Sequence, residues 1–109
     1  MREVFEMIQH IVMFKFKETA NGKTKAENLA EAKRRMLALK GEIPEIAEME
    51  VHLGVTGAAP SNYDYVLVSK FRSMEDLETY QKHPLHVAFG NFVKELREPD
   101  GRACLDYEL

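Results

Sequence analysis

A single cysteine, Cys104, is all the thiol this 109-residue chain carries. No intrachain disulfide can form, so the disulfide-stapled secreted scaffolds are excluded, and a reducing compartment fits. No apolar run is long enough to span a bilayer. The first residues place Glu3 and Glu6 where a signal peptide would be basic, with no small-residue cleavage site after them. The expected location is the cytoplasm. Charge of one sign is also scarce: the net charge is −3, and acidic and basic residues are interspersed. That pattern gives no footprint for nucleic acid and no membrane-binding patch. Repeats, low-complexity segments and long linkers are absent. A single domain over residues 1–109 is expected. A monomer of this size buries only about two-thirds of the surface its unfolded chain exposes, so a partner subunit would help it substantially.

What is present is periodicity. Residues 7–17 read as a strand with two unlike faces. Ile8, His10, Val12, Phe14 and Phe16 form a mostly apolar row that should meet helices. Ile11 and Met13 make the other face half apolar. Asn21-Gly22 marks a turn. Thr24 to Glu27 fits a capping box, and Leu29, Ala32, Met36 and Leu39 follow at helical spacing. Gly41 suits the position just past the helix, and Pro44 stops it. Residues 48–56 and 63–72 read as strands. Ser73 to Asp76 fits a second capping box, opening a short helix through Tyr80. Pro84 interrupts it and starts another helix to about Arg97, whose apolar positions are Leu85, Ala88, Phe89, Phe92 and Leu96. Residues 98–101, Glu-Pro-Asp-Gly, read as a turn before a last strand over residues 102–109.

The order β-α-β-β-α-β is the split βαβ, ferredoxin-like α+β arrangement. It predicts a four-stranded antiparallel sheet with helices on one face. The other face, with Ile11, Met13, Val66 and Val68, has no element left to cover it. A second copy packed sheet to sheet, a homodimer, is the economical solution.

Two histidines, His83 and His86, flank Pro84. With Pro84 at the first helical position, His83 caps the helix and His86 lies in its first turn. A helix N-terminus disfavours the imidazolium, so His86 should stay neutral and able to accept a proton. His86 lies beside the apolar stripe, in line with Gly90 and Val93, at the edge of the helix–sheet interface. His10 sits in an apolar row, and Asp106 shares a strand face with Cys104 and Glu108. An aspartate there can accept a histidine N–H and fix its tautomer. The His83-x-x-His86 pair is interrupted by proline and lacks helical i,i+4 spacing, so no metal site is expected and no cofactor is implied. Cys104 reads as a small strand residue and not a nucleophile.

The run HIVMFKFK, Ser73-Met74-Glu75-Asp76 leading to Tyr80, the piece HPLHVAF and the closing LDY together resemble the stress-responsive A/B barrel (Dabb, dimeric α+β barrel) family. The resemblance extends over nearly the whole chain, and more distantly to the plant enzyme olivetolic acid cyclase. It implies a ferredoxin-like fold, a homodimer and a cavity between sheet and helices that holds a small apolar ligand. Carried over motif by motif, His86 would be the base, with Tyr80 and Asp106 assisting. His10 and His83 would line the cavity with Phe14 and Phe89, and Tyr65 stands where the cyclase pattern has a histidine. Three functions follow as expectations. The first is acid–base chemistry on a carbonyl or polyketide-like compound, a lyase or cyclase activity. The second is a non-catalytic binding or stress-protective dimer. The third is a dimeric-barrel monooxygenase, although the chain has no tryptophan and no residue marked as a haem ligand.

Overall fold

The first strand organises everything else. In the computed structural model, which describes residues 7–109, β1 (Ile8–Phe16) buries every second residue. The reading of Glu3 and Glu6 lies outside the described residues. Ile8, His10, Val12, Phe14 and Phe16 are the buried row, as the alternation predicts. Asn21 and Gly22 then reverse the chain with φ of 52° and 75°. Two successive positive φ angles are the signature of a tight hairpin turn, and they close the two-residue strands β2 (Thr19–Ala20) and β3 (Lys23–Thr24).

Helix α1 (Lys25–Leu39) starts where the capping box puts it: Thr24 accepts from the Glu27 N–H, and the Glu27 carboxylate accepts from the Thr24 N–H. Its buried face is Asn28, Ala32, Met36 and Leu39. Asn28 takes the place expected for Leu29 because its amide donates to the Ala20 carbonyl at 3.1 Å, tying helix to hairpin. Gly41 is not left-handed. The helix instead unwinds through three-residue turns, with Lys40, Gly41 and Glu42 donating to Leu37, Ala38 and Leu39. Ile43 and Ile46, either side of Pro44, then plug the core.

Strands β4 (Glu48–Leu53) and β5 (Tyr65–Phe71) are each shorter than the sequence reading, the ends being loop. The sheet order is β4-β5-β1-β6, all antiparallel. That order defines the ferredoxin-like fold. Ser73 caps α2 (Met74–Lys82) by accepting from the Asp76 N–H, without the return bond of a full capping box. Pro84 begins α3 (Pro84–Leu96), and His83 caps it. Strand β6 (Arg97–Glu108) starts earlier than expected. Phe16 pairs with Arg97 and Phe14 with Arg102, so residues 98–101 are a bulge inside the strand and not a turn before it. Gly101 is buried at this bulge, where a Cβ would lie 2.6 Å from the Lys15 carbonyl oxygen.

Helix α3 is rotated relative to the expected stripe. Phe89, Val93 and Leu96 are buried, whereas Leu85 and Ala88 are exposed and Phe92 is half-buried. Arg35 of α1 stacks over the Phe92 ring at 3.8 Å and holds it on the outer side. The rotation leaves His86 half-buried and Gly90 exposed, both on the side of the helix that borders the cavity between α3 and the sheet. The helices cover one face of the sheet only. On the other, Ile11, Met13, Val66 and Val68 are half-buried, and Leu105 and Tyr107 are exposed. Among the described residues, no helix is long and apolar enough to cross a membrane.

Candidate functional site

A cavity of about 250 Å³ opens between α3 and the sheet. Its floor is His10, Val12 and Phe14 of β1 with Leu67 of β5. Tyr80 and Gln81 close one end from α2. His86, Phe89, Gly90, Val93 and Lys94 form the α3 wall, and Arg97 and Arg102 come from β6. No side chain fills the space at Gly90: a Cβ there would meet nothing within 4 Å.

Three polar groups meet at the α2 end. His10 is 2% exposed, and its Nδ1–H donates to the Asp106 carboxylate. The β1–β6 register puts these two residues directly opposite each other. Asp106 thus fixes the tautomer of His10 rather than that of His86. Tyr80 is fully buried, 6.2 Å from the His10 ring and 4.3 Å from the His86 ring between centroids. Its hydroxyl has no hydrogen-bond partner, and burial pushes its pKa up, so it remains a donor. Gln9 Oε1, on the helix-free side, is the other buried polar atom without a partner among the described residues.

His86 Nδ1 lies 3.1 Å from the Gln81 carbonyl oxygen. A carbonyl can only accept, so Nδ1 carries the proton and Nε2 of the neutral ring is an acceptor. Burial pushes the His86 pKa below its ordinary value. The Gln81 hydrogen bond opposes that push, and the nearby His10, Arg102 and His83 add to it. The neutral state expected from the helix N-terminus is therefore also favoured by desolvation.

Not every expected residue reaches the cavity. His83 Nδ1 accepts from the Leu85 N–H at 3.1 Å, so this ring caps α3 and does not line the wall. Tyr65 is buried toward α1, where its hydroxyl donates to the Ala32 carbonyl at 3.4 Å and its ring stacks on Phe16. It lies outside the cavity because β5 presents it to α1 rather than α3. Phe14 and Phe89 do line the cavity. Asp106 acts on it through His10 and is not part of the wall. Cys104 Sγ is 3.7 Å from His10 Nδ1 and 3.9 Å from the Asp106 carboxylate. These three residues bring potential metal-ligand atoms within 4.8 Å of one another, whereas His83 and His86 have separate partners. Gln81, Lys94, Arg97 and Arg102 escaped the sequence reading. Two of them had a signal: Lys94 continues the His86-Gly90 stripe at i+4, and Arg102 continues the Asp106-Cys104 strand face at i−2.

Comparison with known proteins adds the following. The family described as Stress Responsive A/B Barrel Domain matches residues 8–109. No curated protein matches the sequence significantly. A dimeric protein of unknown function with a ferredoxin-like fold from Bacteroides fragilis is 33% identical. That match covers 94% of this chain and 96% of the other, with a TM-score of 0.81. An Arabidopsis thaliana protein is 24% identical, with 92% of each chain covered and a TM-score of 0.72. A hydroxynitrile lyase from Passiflora edulis is 17% identical over 97% of this chain and 95% of its own, with a TM-score of 0.76. At these identities the last two show the fold alone.

Proposed function

The chain belongs to the stress-responsive A/B barrel family, and on that premise we propose that it is a homodimer whose cavity binds a small carbonyl compound and moves a proton on it. The observation that carries this reading is the buried Tyr80 hydroxyl without a partner, beside a neutral His86 whose Nε2 is free to accept. A carbonyl oxygen seated on Tyr80 would satisfy the orphan donor. His86 Nε2 would take a proton from the adjacent carbon, and the C–H electron pair would pass into an enolate oxygen. Tyr80 would hold that oxygen through a bond that strengthens as charge develops. Asp106 would keep the His10 ring oriented behind them.

The dimer half of the reading has its own support. The Bacteroides fragilis relative is dimeric, and the helix-free face here is apolar at its centre, with Ile11, Met13, Val66, Val68 and Leu105. A second copy laid on that face buries it and leaves the cavity, on the opposite side of the sheet, open to solvent.

The test is α-proton exchange. Small ketones and 3-oxo acids are incubated with the protein in deuterated water, and loss of the α-proton signal is followed by NMR. Accelerated exchange that disappears in His86→Ala, with the dimer intact, is the expected result. Equal rates with wild type and His86→Ala would defeat the acid–base role. Tight retention of ligand with no exchange would leave a binding protein.

A further inference from the structure

The cavity wall gathers three cations that the chain does not neutralise. Lys94, Arg97 and Arg102 all line it, and no Asp or Glu does among the described residues. No carboxylate lies within ion-pair distance of any of the three among the described residues. This runs against the sign of the chain, whose net charge is −3. Like charges collected around a cleft with low-dielectric walls repel one another and focus a positive potential into it. Arg97 has a structural task, since its guanidinium donates to the Glu98 and Pro99 carbonyls at 3.1 and 3.0 Å and holds the bulge. Lys94 has no polar partner among the described residues, and Arg102 has none beyond the Cys104 thiol.

The rest of the cavity limits what an anion could be. Phe14 and Leu67 of the floor and Phe89 of the α3 wall give it an apolar, partly aromatic lining. Its volume of about 250 Å³ falls just under the range of about 300–1,000 Å³ usual for ligand pockets. A bulky polyanion such as a nucleotide does not fit that description.

We propose that the ligand of this cavity is a small monocarboxylate, its apolar body against Phe14, Leu67 and Phe89 and its carboxylate held between Arg102 and Lys94. The planar carboxylate matches the fork of a guanidinium, which a tetrahedral inorganic anion does less well. The proposal rests on the cavity being the binding site, as argued above, and not on the proton transfer assigned to it.

The experiment uses the full chain and two probes of the same shape, phenylacetate and its neutral analogue phenylacetamide, titrated by NMR with calorimetry. Phenylacetate should bind, shifting the signals of Tyr80, His86, Phe89 and Gly90, with phenylacetamide weaker by about tenfold or more. That factor is the loss expected when a charge-assisted hydrogen bond goes. The double variant Arg102→Gln/Lys94→Gln should remove the difference between the probes, with the folded state checked by circular dichroism. Lys94→Gln alone, at an exposed helix position, gives a smaller loss and guards against a double variant that fails to fold. Equal binding of the two probes by wild type overturns the proposal. So does competition by inorganic phosphate as effective as that of phenylacetate, which would reduce the cations to a general anion trap. His86→Ala separates this proposal from the catalytic one. It should keep the preference for phenylacetate over phenylacetamide whether or not α-proton exchange is found.

Discussion

Replacing Tyr80 with phenylalanine should make the ligand-free protein more stable while disabling it. The side chain is fully buried and its hydroxyl lacks a partner. A buried hydroxyl left unpaired costs about 1–3 kcal/mol in lost hydration. Phenylalanine keeps the ring and its packing against Phe71 at 4.9 Å and His86 at 4.3 Å, and removes only the oxygen. Water entering the cavity recovers part of the cost in the wild type, so the net gain should be about 1 kcal/mol. For a domain of this size that corresponds to a rise in Tm of roughly 4 °C. Urea denaturation should show a higher midpoint at unchanged slope, the mark of a change in stability alone. The same substitution removes the donor for a developing oxyanion, so any α-proton exchange should fall by roughly a hundredfold. A Tyr80→Phe protein less stable than wild type by about 1 kcal/mol or more would refute the reasoning, because the hydroxyl would then be engaged in the folded molecule rather than held open for a ligand.

Three further outcomes are expected. An NMR titration should place the His86 midpoint below its ordinary value of 6.5. The folded state then holds fewer protons on this ring than the unfolded state does. The His86 contribution to stability is therefore complete above about 6.5 and lost as pH falls from there through the folded midpoint, which paired urea curves would follow. Asp106→Ala should cost about 2 kcal/mol in urea denaturation, since it leaves the buried His10 N–H without its acceptor, whereas Asp106→Asn, which keeps an oxygen in place, should cost less. Val68→Lys, on the helix-free face, should convert the dimer to monomer in sedimentation, and a dimer that survives it would place the interface elsewhere.

How much of this was legible in the sequence follows the range of the forces involved. The alternation of β1, the Thr24 capping box and the Asn21-Gly22 turn are set by neighbours a few residues apart, and the structure has them where expected. The strand order follows from the order of elements because few connections are sterically open to it. Features decided by distant contacts were not visible. The half-buried place of Phe92 is shared with Arg35 of another helix, which stacks on its ring. The requirement for glycine at 101 comes from the Lys15 carbonyl, a neighbour only after β6 has paired. Tyr65 and Tyr80 look alike in the sequence, yet one finds the Ala32 carbonyl and the other finds nothing. The cationic wall was missed because Lys94, Arg97 and Arg102 are ordinary residues for a solvated surface until α3 and β6 stand on either side of one cleft.

The cluster at the α2 end is best understood by following where each hydrogen-bonding group is spent. The His10 N–H goes to Asp106, and the His86 N–H goes to Gln81. Left over are two acceptors, His10 Nε2 and His86 Nε2, and one donor, the Tyr80 hydroxyl; of the two rings His86 is the nearer to Tyr80, which makes it the donor's pair. A water molecule can take both roles, but it makes little use of Phe14, Leu67 and Phe89. A carbonyl compound uses all of them, with its oxygen on the donor, its acidic C–H toward the acceptor and its apolar remainder on the floor. The leftover pair is therefore matched to such a molecule more closely than to solvent, and Arg102 makes the match sharper. Its charge works against the burial that raises the Tyr80 pKa and adds to the burial that lowers that of His86, and it would equally favour an enolate over the neutral carbonyl it comes from. A carboxylate ligand would offset that charge in the ground state. The two proposals thus constrain each other: an anionic group and a reacting carbonyl on one molecule must be far enough apart that Arg102 and Lys94 hold the first while Tyr80 keeps the second. Taken together, the two proposals point to an oxo acid whose carbonyl lies beyond the carboxylate carbon, which is why 3-oxo acids belong in the exchange assay beside simple ketones.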